Sequence, residues 1–495
     1  KMEQIVSYSI AIVLISITSW ILFSTLLTKS KNIPFQFQKI TVKSAVQYGS
    51  WGMQGIRPTM EDDYIIDKIP FQNSQILITG ICDGHCGSRC SKFVARHFCT
   101  ELTEQIKQAE IKFNLKNLSL QEDIDSSNAK QFSQILEKTV LEMDKRWCNT
   151  VKQFGINDGT TLCVNVFFNE KLFTVNLGDS RSVASNNFIM QELTQDFKPS
   201  RDKAYVEAIG GFVHPLIIKT PQNIIYNGSE RVYPGGLSLS RTIGDYSSKN
   251  MDYLSQLGVI RPVIQNQPEV SLCTSTPEFV ITCCDGICDV ASSIEIQRAC
   301  IVIIAILQSN SVKKHELLVG LGISVNQQRY LSNADILAQC ICRQALGLGS
   351  TDNVSAVVVI FEKLWLPNES TFCNKELNPS KSYREFVQSY NQTDFQMVLT
   401  KLVEEFWYDG EGNIQWRQLQ DWFKVAFSYF KTGDQVGEVK FFDVKSENLE
   451  DLQKEKSLLW EKLESEGKTL SQLRQGVEET GIVEEEDYKY EILHQ

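Results

Sequence analysis

Histidine is scarce. Five in 495 residues leave little material for a histidine-ligated metal centre, and only His85 stands inside a motif. A surplus of positive charge is also missing. The net charge is −11 and the pI about 5.2, which excludes the basic surface that non-specific nucleic-acid binding requires. The cysteines lack the close spacing of a secreted disulfide framework, so free thiols are expected in a reducing compartment, cytosol or mitochondrial matrix. No internal repeat is evident, which sets aside repeat architectures. A composition of 42% hydrophobic and 22% charged residues excludes global disorder.

Long apolar runs are rare too, and the one near the start stands out. Residues Ile5 to Thr28 carry no charge. About 20 apolar residues span a bilayer as a helix, whereas a signal peptide has an apolar core of about 7–15. Lys29 and Lys31 follow the run and only Lys1 and Glu3 precede it, so the downstream chain is expected on the cytosolic side. A mitochondrial inner membrane facing the matrix fits the same charge pattern, and the initial Lys leaves room for a processed precursor. Residues 29–43 read as a linker.

A mixed region runs from 44 to 362. Ile76–Cys82, Thr161–Phe168, Lys171–Leu177, Phe279–Cys284 and Val354–Phe361 are short, apolar and bounded by turn or acidic residues, as strands are. Asn169-Glu170 between two of them predicts a hairpin. Helical stretches are expected at Ser88–Ala109, Gln131–Phe154 and Ile294–Leu307. Hairpins imply antiparallel pairing, so the region is α/β of the α+β kind rather than a doubly wound sheet.

Residues 363–445 change character. Phe395, Val398, Leu402 and Phe406, then Leu419, Trp422, Phe423, Ala426, Phe427 and Phe430, recur at helical spacing and predict a small helical appendage that offers a surface to a protein partner. Residues 446–495 form a helical acidic tail: from Lys440 onward, 15 acidic and 8 basic residues supply −7 of the −11. Leu449, Leu452, Leu459, Leu463, Leu470, Leu473 and Val477 follow an interrupted heptad. Lys456 and Glu466 fall on its seam, so any coiled coil is short.

The strongest signal is a set of carboxylates beside strand ends. Asp83 follows ILITGIC, Asp285 follows FVITCC with Asp289 four residues on, Asp179 follows LFTVNLG, and Asp352 precedes VSAVVVIF. Glu61 and Asp62 stand together. Carboxylates crowded at one sheet edge need a compensating charge. Oxygen donors with few nitrogens suit Mg²⁺ or Mn²⁺. Each Asp-Gly or Gly-Asp pair alone is common in turns.

The ordered series is specific. YGSWGMQGIRPTMEDD (Tyr48–Asp63), CDGHCG (Cys82–Gly87), DGTTL (Asp158–Leu162), NLGDSRSV (Asn176–Val183), LTQDFKPS (Leu193–Ser200), GGFV (Gly210–Val213), RVYPGGLSLSRTIGDY (Arg231–Tyr246), QPEV (Gln267–Val270), CDGICDV (Cys284–Val290) and GSTDNVS (Gly349–Ser355) follow one another. Over Ser44 to Glu362 the chain resembles the metal-dependent serine/threonine protein phosphatases of type 2C. The resemblance implies a four-layer α-β-β-α sandwich of two mainly antiparallel sheets. It also implies hydrolysis of phosphoserine and phosphothreonine in a phosphoprotein substrate by a metal-activated water, at two Mg²⁺ or Mn²⁺ ions with a third, weaker site.

Matched positions inherit roles from that resemblance. Asp83 would bridge two metals, with the Gly84 carbonyl and Glu61 completing one site and Asp285 and Asp352 the other. Asp179 and Asp289, with Asp285, would form the third. Asp62 would hold the attacking water, Arg57 clamp the phosphate and His85 protonate the leaving oxygen. Cys86 replaces a usual glycine, Phe197 a common histidine and Cys288 a frequent tryptophan; none is a proposed ligand. A structural subunit of a membrane complex, phosphatase-like but inactive, is the alternative, and the retained ligand set argues against it.

Rival signals are weaker. Cys82, His85, Cys86 and Cys90 lie at a spacing that suits a soft metal, but a strand end and a helix account for the outer two. Cys90 to Arg96 has the Cys-x5-Arg spacing of thiol phosphatases on a stretch that reads as helix. Asp409 to Leu419 resembles a calcium loop, yet Trp407 and Gln418 occupy its first and twelfth positions, where carboxylates are needed.

Overall fold

The computed structural model describes residues 46–361 except 72–73, 114–126, 169–170, 187–188, 220–224, 275–276, 309–314, 316–317 and 320, together with 439–442, 447–466 and 482–484. The expected span at 5–28, the linker, the loop at 409–419 and nearly all of the appendage lie outside the described residues. Among those described, no helix is long and apolar enough to cross a membrane.

Two antiparallel sheets form the centre. The first runs in the order β1 (Val46–Met53), β15 (Val354–Phe361), β14 (Phe279–Cys283), β8 (Arg181–Asn186), β9 (Ile189–Glu192). The second runs β16 (Val439–Phe441), β13 (Glu269–Cys273), β7 (Lys171–Leu177), β6 (Leu162–Phe168), β3 (Ser74–Cys82), β2 (Asp63–Phe71). The β6–β7 pair is the hairpin expected around Asn169-Glu170. Strands β3 and β6 are covered on both faces. That is why they read as continuous apolar runs rather than as alternating ones.

Helices close the outer faces. On the second sheet lie α1 (Arg89–Phe113) and α2 (Ser127–Val151). Cys90, Val94, Phe98, Leu102, Ile106 and Ala109 recur every three or four residues on α1 and share one core with Ile76, Ile78, Val164 and Phe173. Beyond the short helices α3 (Lys203–Ala208), α4 (Met251–Leu254) and α5 (Asp285–Cys288), the chain forms α6 (Ser293–Gln308), α7 (Val325–Tyr330), which buries no residue, and α8 (Asn333–Gly347), and the first sheet carries α6 and α8. Ser332 and Asp335 cap α8 reciprocally. Ile301, Ile304, Leu337 and Ile341 pack there on Ile281 and Val358.

The layer between the sheets is partly polar. Asn165 donates to the Ser182 and Thr282 hydroxyls at 3.0 and 2.7 Å and accepts from Thr174 at 2.8 Å. All four are buried. Satisfied in this way, they fix the register of one sheet on the other at little cost.

Two smaller ribbons complete the unit. One consists of β4 (Gly84–His85), β5 (Gly159–Thr160) and β12 (Ile243–Gly244), with β5 in the middle. The other pairs β10 (Phe212–Lys219) with β11 (Ile225–Tyr233) and, in parallel, with β17 (Ile482–Glu484).

The tail helix α9 (Leu449–Ser465) packs on α3 and the α4 region beside this second ribbon, the flap, sharing a cluster with Val213 of β10 and Val232 of β11. Leu452 joins Val206, Ile209, Leu254 and Val259 in one cluster, and Leu459 packs on it. Trp460 donates to the Gly258 carbonyl at 2.8 Å, and Arg261 grips Glu455 through two bonds. Leu452 and Leu459 of the expected heptad therefore serve an intramolecular contact. Leu449, on the same expected seam, is exposed, and the seam residue Lys456 donates to the Glu207 carbonyl.

Candidate active site

Strand register decides which acidic residues meet. In the β2–β3 pair, Asp63 faces Cys82, so Glu61 and Asp62 enter β2 where Asp83 leaves β3. In the β14–β15 pair, Cys283 faces Ala356, so Asp285 leaves β14 where Asp352 enters β15. Asp179 sits in the turn from β7 to β8. The Asp285 amide reaches the Asp83 Oδ2 at 3.4 Å across the two sheets.

Neutral groups hold the frame. Asn353 accepts from the Glu61 amide at 2.8 Å and donates to the carbonyls of Gln54 and Thr59. Thr161 donates its amide to the Asp83 carbonyl at 2.8 Å, and its hydroxyl oxygen accepts from the Asp83 amide. Ser355 donates to the Asp62 carboxylate at 2.6 Å. A Cβ on Gly84 would meet the Glu61 carbonyl oxygen at 2.4 Å, so only glycine allows the two strand ends to come this close.

The carboxylates repel one another. Burial, then Asp285, Asp62, Asp352 and Asp179, push Asp83 well above the usual carboxylate range. Burial, then Asp179, Asp352 and Asp289, do the same to Asp285. Asp62 is pushed up to about 7 by burial, against the pull of the Ser355 hydroxyl. Asp179 is raised by burial and eased by Lys198, whose Nζ lies 2.5 Å from one Asp179 oxygen and 3.6 Å from Asp289.

Arg57 donates from Nη2 to Asp352 at 2.6 Å, while its buried Nη1 has no partner among the described residues. The structure thus gathers Glu61, Asp62, Asp83, Gly84, Asp285 and Asp352 around one edge, with Asp179 and Asp289 joined through Lys198. Among the described residues, no three His, Cys, Asp or Glu side chains are close enough to close around an ion as they stand. Oxygen donors whose charges repel, with guanidinium and ammonium leaning on two of them, are the donor chemistry that hard divalent cations satisfy.

His85 lies beside this edge. Its Nε2 is 2.9 Å from both oxygens of Asp245. Burial alone would lower the imidazole; Asp245 outweighs it, and the net shift is upward. Cys86 follows with φ 57, the left-handed region where its usual glycine is at ease. Its thiol is pushed up to about 12 by burial and nearby carboxylates, and Cys90 is buried on α1 far from any thiolate character. The same helix removes the phosphate cradle that the Cys90–Arg96 spacing would need. Phe197 is stacked between the guanidinium groups of Arg201 and Arg241, at 4.0 and 4.1 Å.

Residues 46–354 match the family model described as Protein phosphatase 2C. The chain belongs to the protein phosphatase 2C family. This type 2C phosphatase is 28% identical over 325 residues to Probable protein phosphatase 2C 11 of Arabidopsis thaliana, covering 65% of this chain and 68% of the relative. It is 26% identical over 336 residues to Probable protein phosphatase 2C 2 of Paramecium tetraurelia, covering 64% and 93%. A solved serine-threonine phosphatase 2C from Toxoplasma gondii overlies 65% of this chain and 96% of its own, at 19% identity and a TM-score of 0.47. The family consists of serine/threonine protein phosphatases that depend on Mg²⁺ or Mn²⁺.

Asn353, Ser355, Thr161, Lys198 and Asp245 were not singled out by the sequence reading. All five stand inside or beside motifs that carry the resemblance, but only their contacts show what each one does.

Proposed function

We propose that the chain hydrolyses phosphoserine and phosphothreonine in proteins, with two divalent cations held at the carboxylate edge. Asp83, Glu61, the Gly84 carbonyl, Asp285 and Asp352 are the groups that would hold them. Asp179, Asp289 and Asp285 offer a third position. Bound there, Mg²⁺ or Mn²⁺ would offset the carboxylate charge, polarise phosphoryl oxygens and make water acidic enough to attack at neutral pH.

The chain's own groups do the rest. Arg57 offers Nη1 to a phosphate oxygen while Asp352 steadies Nη2, a fork that fits a tetrahedral anion. Asp62, held by Ser355, orients the attacking water. His85 donates a proton to the serine or threonine oxygen as its bond to phosphorus breaks, because a bare alkoxide leaves poorly. The carrying observation is the set of buried carboxylates from four separate strand ends that raise one another's pKa beside His85 and Arg57.

The test is turnover of a phosphoserine peptide by the full chain with and without Mn²⁺. Dependence on the ion, and its loss in Asp83→Asn, are expected. Equal turnover in both cases would remove the reading, and with it the preference over an inactive structural subunit. The uncharged run at 5–28 supports membrane attachment of this enzyme. Release of the full chain from membranes by alkaline carbonate would exclude a span.

A further inference from the structure

Asp245 has no part in the reading above, although it is fully buried and points at the imidazole. Its position is unusual in three independent ways. It adopts φ 51, a left-handed conformation that few side chains tolerate and that clusters at functional sites. Its other acceptor bond is taken by the neighbouring Thr242 hydroxyl, so both oxygens are committed. Finally, a Cβ on Gly159 would meet Asp245 Oδ2 at 2.1 Å and His85 Nε2 at 2.3 Å. The middle strand of the small ribbon is therefore pared to glycine just where the two side chains touch.

The ribbon is the device that brings them together. His85 ends β4 opposite Gly159 on β5, and Gly159 faces Gly244, the residue before Asp245. Three motifs far apart in the chain are aligned by two-residue strands. Other aspartates of the domain are matched to permanent cations: buried Asp158 to Arg89, buried Asp144 to Lys249 and half-buried Asp202 to Arg241. Asp245 forms its ion pair with an imidazole instead.

We propose that Asp245 is a positioning residue for His85, fixing the ring by accepting the Nε2 proton and leaving Nδ1 to serve the leaving oxygen. This rests on His85 acting as the general acid. In the step, water oxygen bonds to phosphorus and the phosphorus–Oγ bond breaks with its electron pair on Oγ. His85 enters as the imidazolium, its Nδ1 proton moves to Oγ while Nε2 keeps its proton and Asp245 its charge, and the proton released by the attacking water passes to solvent, from which Nδ1 is later reprotonated. The pairing sets both the tautomer and the direction in which the ring presents its second nitrogen. Among the described residues, Nδ1 has no hydrogen-bond partner.

The test compares two substrates in full-chain wild type, His85→Ala, Asp245→Asn and the double variant, each with Mn²⁺. A phosphoserine peptide needs its leaving oxygen protonated; p-nitrophenyl phosphate does not. His85→Ala should lose about 100-fold in kcat on the peptide and Asp245→Asn about 10-fold or more, with only about 3-fold or less lost on the aryl ester. The double variant should fall no further than His85→Ala. Asn is at home in the left-handed region, so the Asp245 variant keeps its backbone. Thr242→Val, which removes the second donor to Asp245 Oδ2 and leaves that carboxylate held by His85, should show a smaller loss of the same selective kind.

Equal losses on both substrates in Asp245→Asn and Thr242→Val would mean a structural role and overturn the proposal. Selectivity in His85→Ala but not in Asp245→Asn would overturn it while leaving His85 as the acid. No selectivity in His85→Ala would remove the acid assignment itself, and Asp245's role with it.

Discussion

Two groups of aspartates in this domain are treated in opposite ways. Asp144, Asp158 and Asp202 anchor helices and the flap. Asp144 accepts from Lys249, the Gly244 amide and Asn266; Asp158 takes Arg89 in a fork; Asp202 takes Arg241 and Ser240. Burial would raise the Asp202 carboxyl, but Arg241 and Ser240 outweigh it and hold it low. Asp62, Asp83 and Asp285 form no ion pair with lysine or arginine among the described residues, and all three are raised. Asp144, Asp158 and Asp202, each matched by a protein cation and by neutral donors, belong to the scaffold. A cluster left without one is waiting for a charge from outside.

The contrast would break most visibly at Asp83. Asp83→Asn is expected to cost activity on the order of 10⁴-fold, the several kcal/mol that metal-assisted hydrolysis supplies. The same variant should not lower the melting temperature of the ion-free chain, since it removes repulsion. A marked loss of stability would place Asp83 with the scaffold.

The opposite case is Lys249→Met, which leaves Asp144 buried without its cation. It should destabilise the chain by about 3–5 kcal/mol in urea unfolding. A change below about 1 kcal/mol would show that Asp144 is held by its neutral donors alone.

Ions and protons sharpen the difference. Mn²⁺ at about 100 times its dissociation constant should stabilise the chain by about 2.7 kcal/mol, read as a shift in melting temperature. Without ions, Asp62 binds its proton more tightly folded than unfolded, because its carboxyl sits at about 7. Its contribution should therefore favour folding at acid pH and fade as pH rises from about 4 to about 7. Asp62→Asn should flatten that slope. Asp202, held low, runs the other way: its contribution is present above about 4 and fades as pH falls. An Asp62→Asn chain with an unchanged pH profile would break the comparison there.

The smallest effect concerns Cys86. Its left-handed conformation costs about 1–2 kcal/mol, part of which glycine would return as lost chain entropy. Cys86→Gly should stabilise by about 0.5–1 kcal/mol in thermal unfolding, without altering the raised aspartates.

Much of the scaffold could be read from residue pattern. Lys171–Leu177 and Val354–Phe361 coincide with β7 and β15, and the long helices agree within a few residues. Several of the missed strands have physical reasons. VQYGSWGM in β1 carries two glycines and a serine; Gly49 is needed because Asp335 of α8 packs where a Cβ would be. IYNGSERVY in β11 is polar on a partly exposed ribbon, and β4, β5 and β12 have two residues each, too short for any period. The heptad in the tail had the right helix but not its partner, since periodicity marks an apolar face without saying what covers it.

The sequence alone determined the chemistry available: which side chains are carboxylates, where strands end, and the order of motifs that identifies the family. Those properties are local, set by a residue and its immediate neighbours. Tertiary structure decided which charges are matched and which are not. It also joined His85 to Asp245 across 160 positions and laid the tail helix beside the flap. These pairings depend on register between distant strands, and one residue of slip would turn every such side chain to the other face.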